Sequence, residues 1–151
     1  MERRALIGGA AATFAAAAAG AGAAPPPRFL PLQAPVVTPT AQLETVWAGV
    51  PFRARFTKSN GEDSVVPGIA VRTPRRIEAF CAYCPHELCV IRLTDEHQLR
   101  CPCHFSLFDP LKHGAWIAGP AMRRTYRFDY RVEGADLLIT GIEADLERRL
   151  L

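Results

Sequence analysis

Two short segments constrain this 151-residue chain more than anything else in it. Cys84-Pro85-His86-Glu87-Leu88-Cys89 and Cys101-Pro102-Cys103-His104-Phe105-Ser106 hold four of the five cysteines and two of the four histidines. Written as spacing the pattern is C-x-H-x14-C-x-x-H, with one further cysteine in each segment. Each segment therefore offers a thiolate and an imidazole, both metal ligands. Any fold available to this chain must bring two loop tips together, and a β scaffold does this with neighbouring hairpins. Cys81-x-x-Cys84 with Cys101-x-x-His104 also has the spacing of a Cys3His zinc site, which leaves His86, Cys89 and Cys103 unused.

The rest of the chain reads as that β scaffold. Phe52, Ala54 and Phe56 alternate with Arg53 and Arg55, and Tyr126, Phe128, Tyr130 and Val132 alternate with Arg127, Asp129 and Arg131. Period two with polar partners marks half-buried strands. Ser59-Asn60-Gly61, Pro67-Gly68 and Glu133-Gly134-Ala135-Asp136 read as turns between them. The expectation is an all-β, antiparallel sandwich with a short C-terminal helix over Glu143–Leu151. Trp47 and Trp116 are expected in the core, Cys81 as a buried free thiol, and His97 and His113 in surface turns. Arg123, Arg124 and Arg127 read as a solvated strand face.

Composition separates the N-terminal part from this body. Half of the alanines fall in the first 24 residues, and six of the 13 prolines lie between Pro25 and Pro39. Arg3-Arg4 precedes an uncharged stretch, Ala5 to Ala24, that ends in small residues. Such a positive start, mild apolar region and small-residue end resemble a twin-arginine export leader, either cleaved or kept as a membrane anchor over residues 5–24. Residues 25–42 read as a Pro-rich linker of polyproline geometry, and residues 43–151 as one domain. The formal net charge of +3 comes with no basic arm, so nucleic acid is not expected as a partner.

Two thiolates and two imidazoles suit a [2Fe–2S] cluster in which one iron takes cysteine and the other histidine. Cys84–Cys89 and Cys101–Ser106 resemble the two cluster-binding boxes of Rieske iron–sulfur proteins, and Gly119-Pro120-Ala121 resembles the proline loop that covers the cluster in that family. The resemblance is strong over about residues 80–121, the expected cluster-binding subdomain. It implies one cluster per chain, with Cys84 and Cys101 on the inner iron and His86 and His104 on the outer one. It also implies a Cys89–Cys103 disulfide, a feature of the cytochrome bc-type branch and not of Rieske ferredoxins. A disulfide implies an oxidising compartment, in agreement with the leader. Ser106 matches the serine that donates a hydrogen bond to cluster sulfur.

The chain departs from the family pattern at several positions. Glu87 and Leu88 stand where an apolar residue and glycine are usual, and Phe105 where glycine is usual. Glu87 reads equally as a carboxylate that tunes the neighbouring His86 and as a plain solvated one. Phe105 and the H-F-S-x-F-D run resemble the small subunit of arsenite oxidase, whereas Gly119-Pro120 resembles the bc side. Phe108 replaces a tyrosine whose hydroxyl donates toward the cluster. A hydrogen bond to a charged group contributes about 1.5–3 kcal/mol, so its loss lowers the potential by roughly 60–130 mV.

The function implied is one-electron transfer by an exported Rieske subunit on the periplasmic side. In a quinol–cytochrome c reductase-like complex, the partners are cytochrome b and a c-type cytochrome. Quinol then meets His86 or His104, and the head swings on the residue 25–42 linker. In an arsenite oxidase-type complex, the partner is a molybdopterin large subunit and the head stays docked. A structural zinc module is the non-redox alternative.

Overall fold

A computed structural model describes residues 25–151. The leader expected over residues 1–24 lies outside the described residues. No helix among the described residues is long and apolar enough to cross a membrane.

The strands run β1 (Phe29–Pro39), β2 (Gly49–Thr57), β3 (Asp63–Arg72), β4 (Ile77–Cys81), β5 (Arg92–Leu93), β6 (Leu99–Arg100), β7 (Leu107–Asp109), β8 (Ala115–Ala118), β9 (Phe128–Glu133) and β10 (Asp136–Glu143). Every pairing is antiparallel. A six-stranded base sheet has the order β4-β3-β2-β1-β10-β9, and a four-stranded sheet the order β5-β6-β7-β8. Phe80 bridges Arg127, and the Cys81 N–H donates to the Tyr126 carbonyl at 2.9 Å, so the two edges of the base sheet meet. The all-β, antiparallel expectation with a small second subdomain holds.

Alternation fills the base. Ala54 and Phe56 of β2, Val66 and Ala70 of β3, and Leu137, Ile139 and Ile142 of β10 are buried together with Tyr126 and Phe128. A second, smaller core joins Phe80, Ala82, Cys84, Ile91, Leu99, Cys101 and Phe108. It lies under the four-stranded sheet, and both box cysteines that carry a free thiol belong to it.

Three local expectations are corrected. The Pro-rich linker expected at residues 25–42 is mostly strand, because β1 pairs with β10 from Phe29↔Glu143 onward and touches β2 through Leu32↔Phe56. Proline lacks an N–H but has an extended φ, so it fits a strand wherever the ladder is broken. Here the register shifts between Pro31 and Val36, and Pro35 falls in that irregular stretch. Pro67-Gly68 is interior to β3 and not a turn. A Cβ on Gly68 would lie 2.2 Å from Phe52 Cζ, so glycine there makes room for an aromatic ring. The short C-terminal helix expected over Glu143–Leu151 is present as a 3-10 helix, Ala144–Arg149. Trp116 is 42% exposed, since its strand β8 is the outer strand of the small sheet.

The arginine face is also different from the expected solvated one. Arg124 makes two 2.7 Å bonds to the buried Glu143 carboxylate, which also accepts from the Arg127 N–H at 3.2 Å. Arg123 lies 4.3 Å over the Tyr126 ring. These side chains tie β10 to the segment before β9.

Candidate functional site

The two boxes fold as near-copies of one loop. In the first, the Cys84 N–H donates to the Cys89 carbonyl at 2.8 Å and the Leu88 N–H to the Cys84 carbonyl at 2.9 Å. In the second, the Cys101 N–H donates to the Ser106 carbonyl at 2.9 Å and the Phe105 N–H to the Cys101 carbonyl at 3.1 Å. Both close with a left-handed residue, Leu88 at φ 58° and Phe105 at φ 59°. That conformation suits glycine and costs other residues about 1–2 kcal/mol each. The family's glycines at these positions are therefore replaced without loss of the loop shape.

Cys89 and Cys103 are disulfide-bonded, as the resemblance implied, with Cα atoms 6.4 Å apart. The bridge joins one loop to the other. Cys84 and Cys101 are free, fully buried thiols in contact with one another. Burial pushes the Cys84 thiol above its ordinary value, and the neighbouring Cys101 acts in the same direction. A bound metal would draw off the Cys84 proton that burial holds in place.

The imidazoles sit on the outer side. The rings of His86 and His104 are 4.9 Å apart and perpendicular. His104 is half-exposed, and ligand atoms of His86, Glu87 and His104 lie within 4.8 Å of one another. The Glu87 carboxylate is exposed and lies 3.8 Å from Nδ1 of His104, across the gap between the loops, so it faces His104 as well as the neighbouring His86. The donor set thus has a buried sulfur side and an exposed nitrogen side. Cys81 does not join it. That thiol lies in the base core, where burial pushes it up to about 12, and Cys103 is committed to the disulfide. The Cys3His zinc grouping is not assembled.

The Gly119-Pro120-Ala121 segment packs on the second box. Ser106 is fully buried, and its Oγ accepts from the Ala121 N–H at 3.0 Å. That leaves the hydroxyl proton free to be donated elsewhere. Gly119 has φ 88°, and a Cβ there would lie 2.5 Å from Ser106 Cα, so only glycine permits this approach. Trp116 Nε1 donates to the Gly119 carbonyl at 3.0 Å and holds the segment from its other side.

One contact has no counterpart in the sequence reading. The Arg149 guanidinium donates to the His86 backbone carbonyl at 2.5 Å, from a turn 63 residues away. Nothing local in the sequence signals it. A broad groove of about 730 Å³, lined by Trp47, Phe52, Ile69, Leu93 and His97 among others, includes none of the four candidate ligands. The half-exposed His104 ring makes the histidine end reachable from the surface.

A family described as the Rieske [2Fe-2S] domain matches residues 37–133. The protein named as the Rieske subunit of a respiratory nitrate reductase in Haloferax mediterranei is 33% identical over 73 residues, covering 46% of this chain and 33% of that protein. The chain thus spans about a third of the length of this relative. Among solved structures, the plasma membrane Rieske protein PetC3 of Synechocystis PCC 6803 is 22% identical, with 58% of this chain and 84% of that one covered, at a TM-score of 0.44. The ferredoxin of carbazole 1,9a-dioxygenase from Nocardioides aromaticivorans IC177 is also 22% identical, with 70% and 96% covered, at a TM-score of 0.51.

Proposed function

Because the chain belongs to the Rieske [2Fe–2S] domain family and so carries one such cluster for electron transfer, we propose that it is the electron-transfer subunit of an exported respiratory oxidoreductase, docked on a larger catalytic subunit. In this reading Cys84 and Cys101 hold the inner iron and His86 and His104 the outer one. The single observation behind it is the donor set: two buried thiols in contact, two perpendicular imidazoles at the surface, and a disulfide locking the two loops. When bound, the cluster takes up and releases one electron.

The residues have separable tasks. Cys84 and Cys101 keep the sulfur side dry within the small core. The exposed His104 ring offers a partner a short path and a nitrogen for hydrogen bonding. Ser106 orients its free hydroxyl proton from a buried position, and Gly119 to Ala121 exclude water above it.

A docked head is favoured over a swinging one by β1. Phe29–Pro39, the segment that would supply most of a tether, is pinned between β10 and β2. The partner is then a large subunit such as a molybdopterin oxidoreductase; the Haloferax relative, named as the Rieske subunit of a respiratory nitrate reductase, supports membership of a respiratory reductase complex. A quinol–cytochrome c reductase-like complex, with cytochrome b and a c-type cytochrome, is the second reading, supported by the Gly119-Pro120 segment against Ser106. The disulfide supports export to an oxidising compartment.

The test is chemical. The purified protein is assayed for iron and acid-labile sulfide and examined by electron paramagnetic resonance, with Cys84→Ser and His104→Cys variants alongside. A Rieske-type signal in the wild type, altered in both variants, is expected. Zinc without iron overturns the reading. Co-purification with a molybdenum subunit or with cytochrome b then decides between the two complexes.

A further inference from the structure

We propose that Arg149 is a positioning residue for the outer-iron end of the site, holding the His86 peptide and raising the reduction potential with its fixed positive charge. The inference rests on the reading of His86 as a ligand. It adds a residue from outside both boxes.

The contact is supported from below. The 3-10 turn Ala144–Arg149 is set by the core: Leu146 is fully buried, Leu150 packs against the same cluster, and the Ala144 N–H donates to the Arg28 carbonyl at 2.8 Å. The far end of the turn is fastened to the β2–β3 hairpin. There the Ser59 N–H donates to the Glu147 carboxylate, and Lys58 Nζ donates to the Leu150 carbonyl at 3.3 Å. Arg149 therefore projects from a braced element, and its reach to His86 is 2.5 Å between donor and acceptor. The box it meets is held on a second side by Leu88, which packs into the base core. With the carbonyl tied and Leu88 seated, the peptide that carries His86 has little freedom to rotate.

The electrostatic sign follows from the geometry. A guanidinium seated on the His86 backbone carbonyl favours an added electron at that end of the donor set. The Glu87 carboxylate beside His104 opposes it. Arg149 is exposed, so its field is screened by salt. A purely mechanical brace would show no such salt dependence.

The experiment compares wild type, Arg149→Lys and Arg149→Gln in the cluster-loaded full chain. Protein-film voltammetry is run at low and high ionic strength, with hydrogen–deuterium exchange of residues 84–89. Arg149→Gln is expected to lower the reduction equilibrium constant about fivefold, or ~40 mV for one electron, and the shift shrinks as salt rises. Arg149→Lys keeps most of the potential. Exchange in the 84–89 loop speeds up in Arg149→Gln. An unchanged potential in Arg149→Gln, with the Rieske signal intact, overturns the proposal. So does an equal fall in Arg149→Lys, or a shift indifferent to salt. Absence of a Rieske signal in the wild type would instead overturn the ligand reading beneath it.

Discussion

Leu88 and Phe105 occupy the same place in two equivalent loops, five residues into each box, and share the same left-handed backbone. Their side chains meet opposite surroundings. Leu88 packs into the base core, while Phe105 is 59% exposed with Arg100 at 5.0 Å from its ring.

That contrast gives opposite signs for one substitution. Phe105→Gly relieves a left-handed strain of about 1–2 kcal/mol, of which about 0.4–1 kcal/mol is returned through the more flexible unfolded chain. A net gain of roughly 0.5–1 kcal/mol is expected. Leu88→Gly obtains the same relief but gives up core packing of about 2 kcal/mol or more, so it destabilises. Thermal unfolding of the two variants checks this; equal signs would show that the backbone alone decides.

The Cys89–Cys103 bridge spans a sequence separation of 14 residues. A loop of that length contributes about 3 kcal/mol in the chain-entropy model. The Cys89→Ser, Cys103→Ser double variant is expected to lose stability on that scale and to shed its cluster faster than wild type. Denaturant unfolding and the decay of the cluster's visible absorbance measure the two effects.

Ser106 and Phe108 set the potential in opposite directions. Ser106→Ala removes a free hydroxyl proton and is expected to lower the potential by roughly 60–130 mV. Phe108→Tyr adds a hydroxyl in the small core beside Cys101 and raises it by a similar amount. Voltammetry reads both, and no positive change in Phe108→Tyr counts against a hydroxyl role at that position.

Glu87→Gln removes a negative charge 3.8 Å from His104 Nδ1. The potential should rise, by about twofold in the reduction equilibrium or ~20 mV, since the carboxylate is well exposed. High salt abolishes the difference.

Cys81 is predicted to be inert. Burial pushes its thiol up to about 12, so at pH 8 it stays in the unreactive thiol form. Iodoacetamide at pH 8, followed by peptide mass spectrometry, should leave it unmodified until the protein is unfolded. Labelling of the native protein at Cys81 would contradict the burial.

How far this was readable from the sequence depends on whether the cause was local. Cys84, His86, Cys101 and His104 stand out because ligand chemistry fixes both residue type and spacing within a few positions. Phe52 to Phe56 and Phe128 to Val132 show their strands because alternation is a local pattern too. β1 was hidden by its prolines, whose cost depends on where the partner strand breaks register. Pro67-Gly68 looked like a turn because the Phe52 ring that needs the glycine sits on another strand. Trp116 was misread since its size suggests burial while β8 lies at the outside of a four-stranded sheet. Arg149 and Glu87 act across gaps between distant segments, and no spacing rule reaches that far.

The seam between β1 and β10 also sets an order of events during synthesis. Of the described strands, β1 is made first and β10 last, yet Phe29 faces Glu143 in the finished sheet. Until β10 emerges, the only strand ladder open to β1 is its single pairing with β2 at Leu32↔Phe56. The boxes lie between, in the loops that join β4 to β5 and β6 to β7. A chain interrupted before β10 would expose β1 as an unprotected edge prone to pairing with a neighbour.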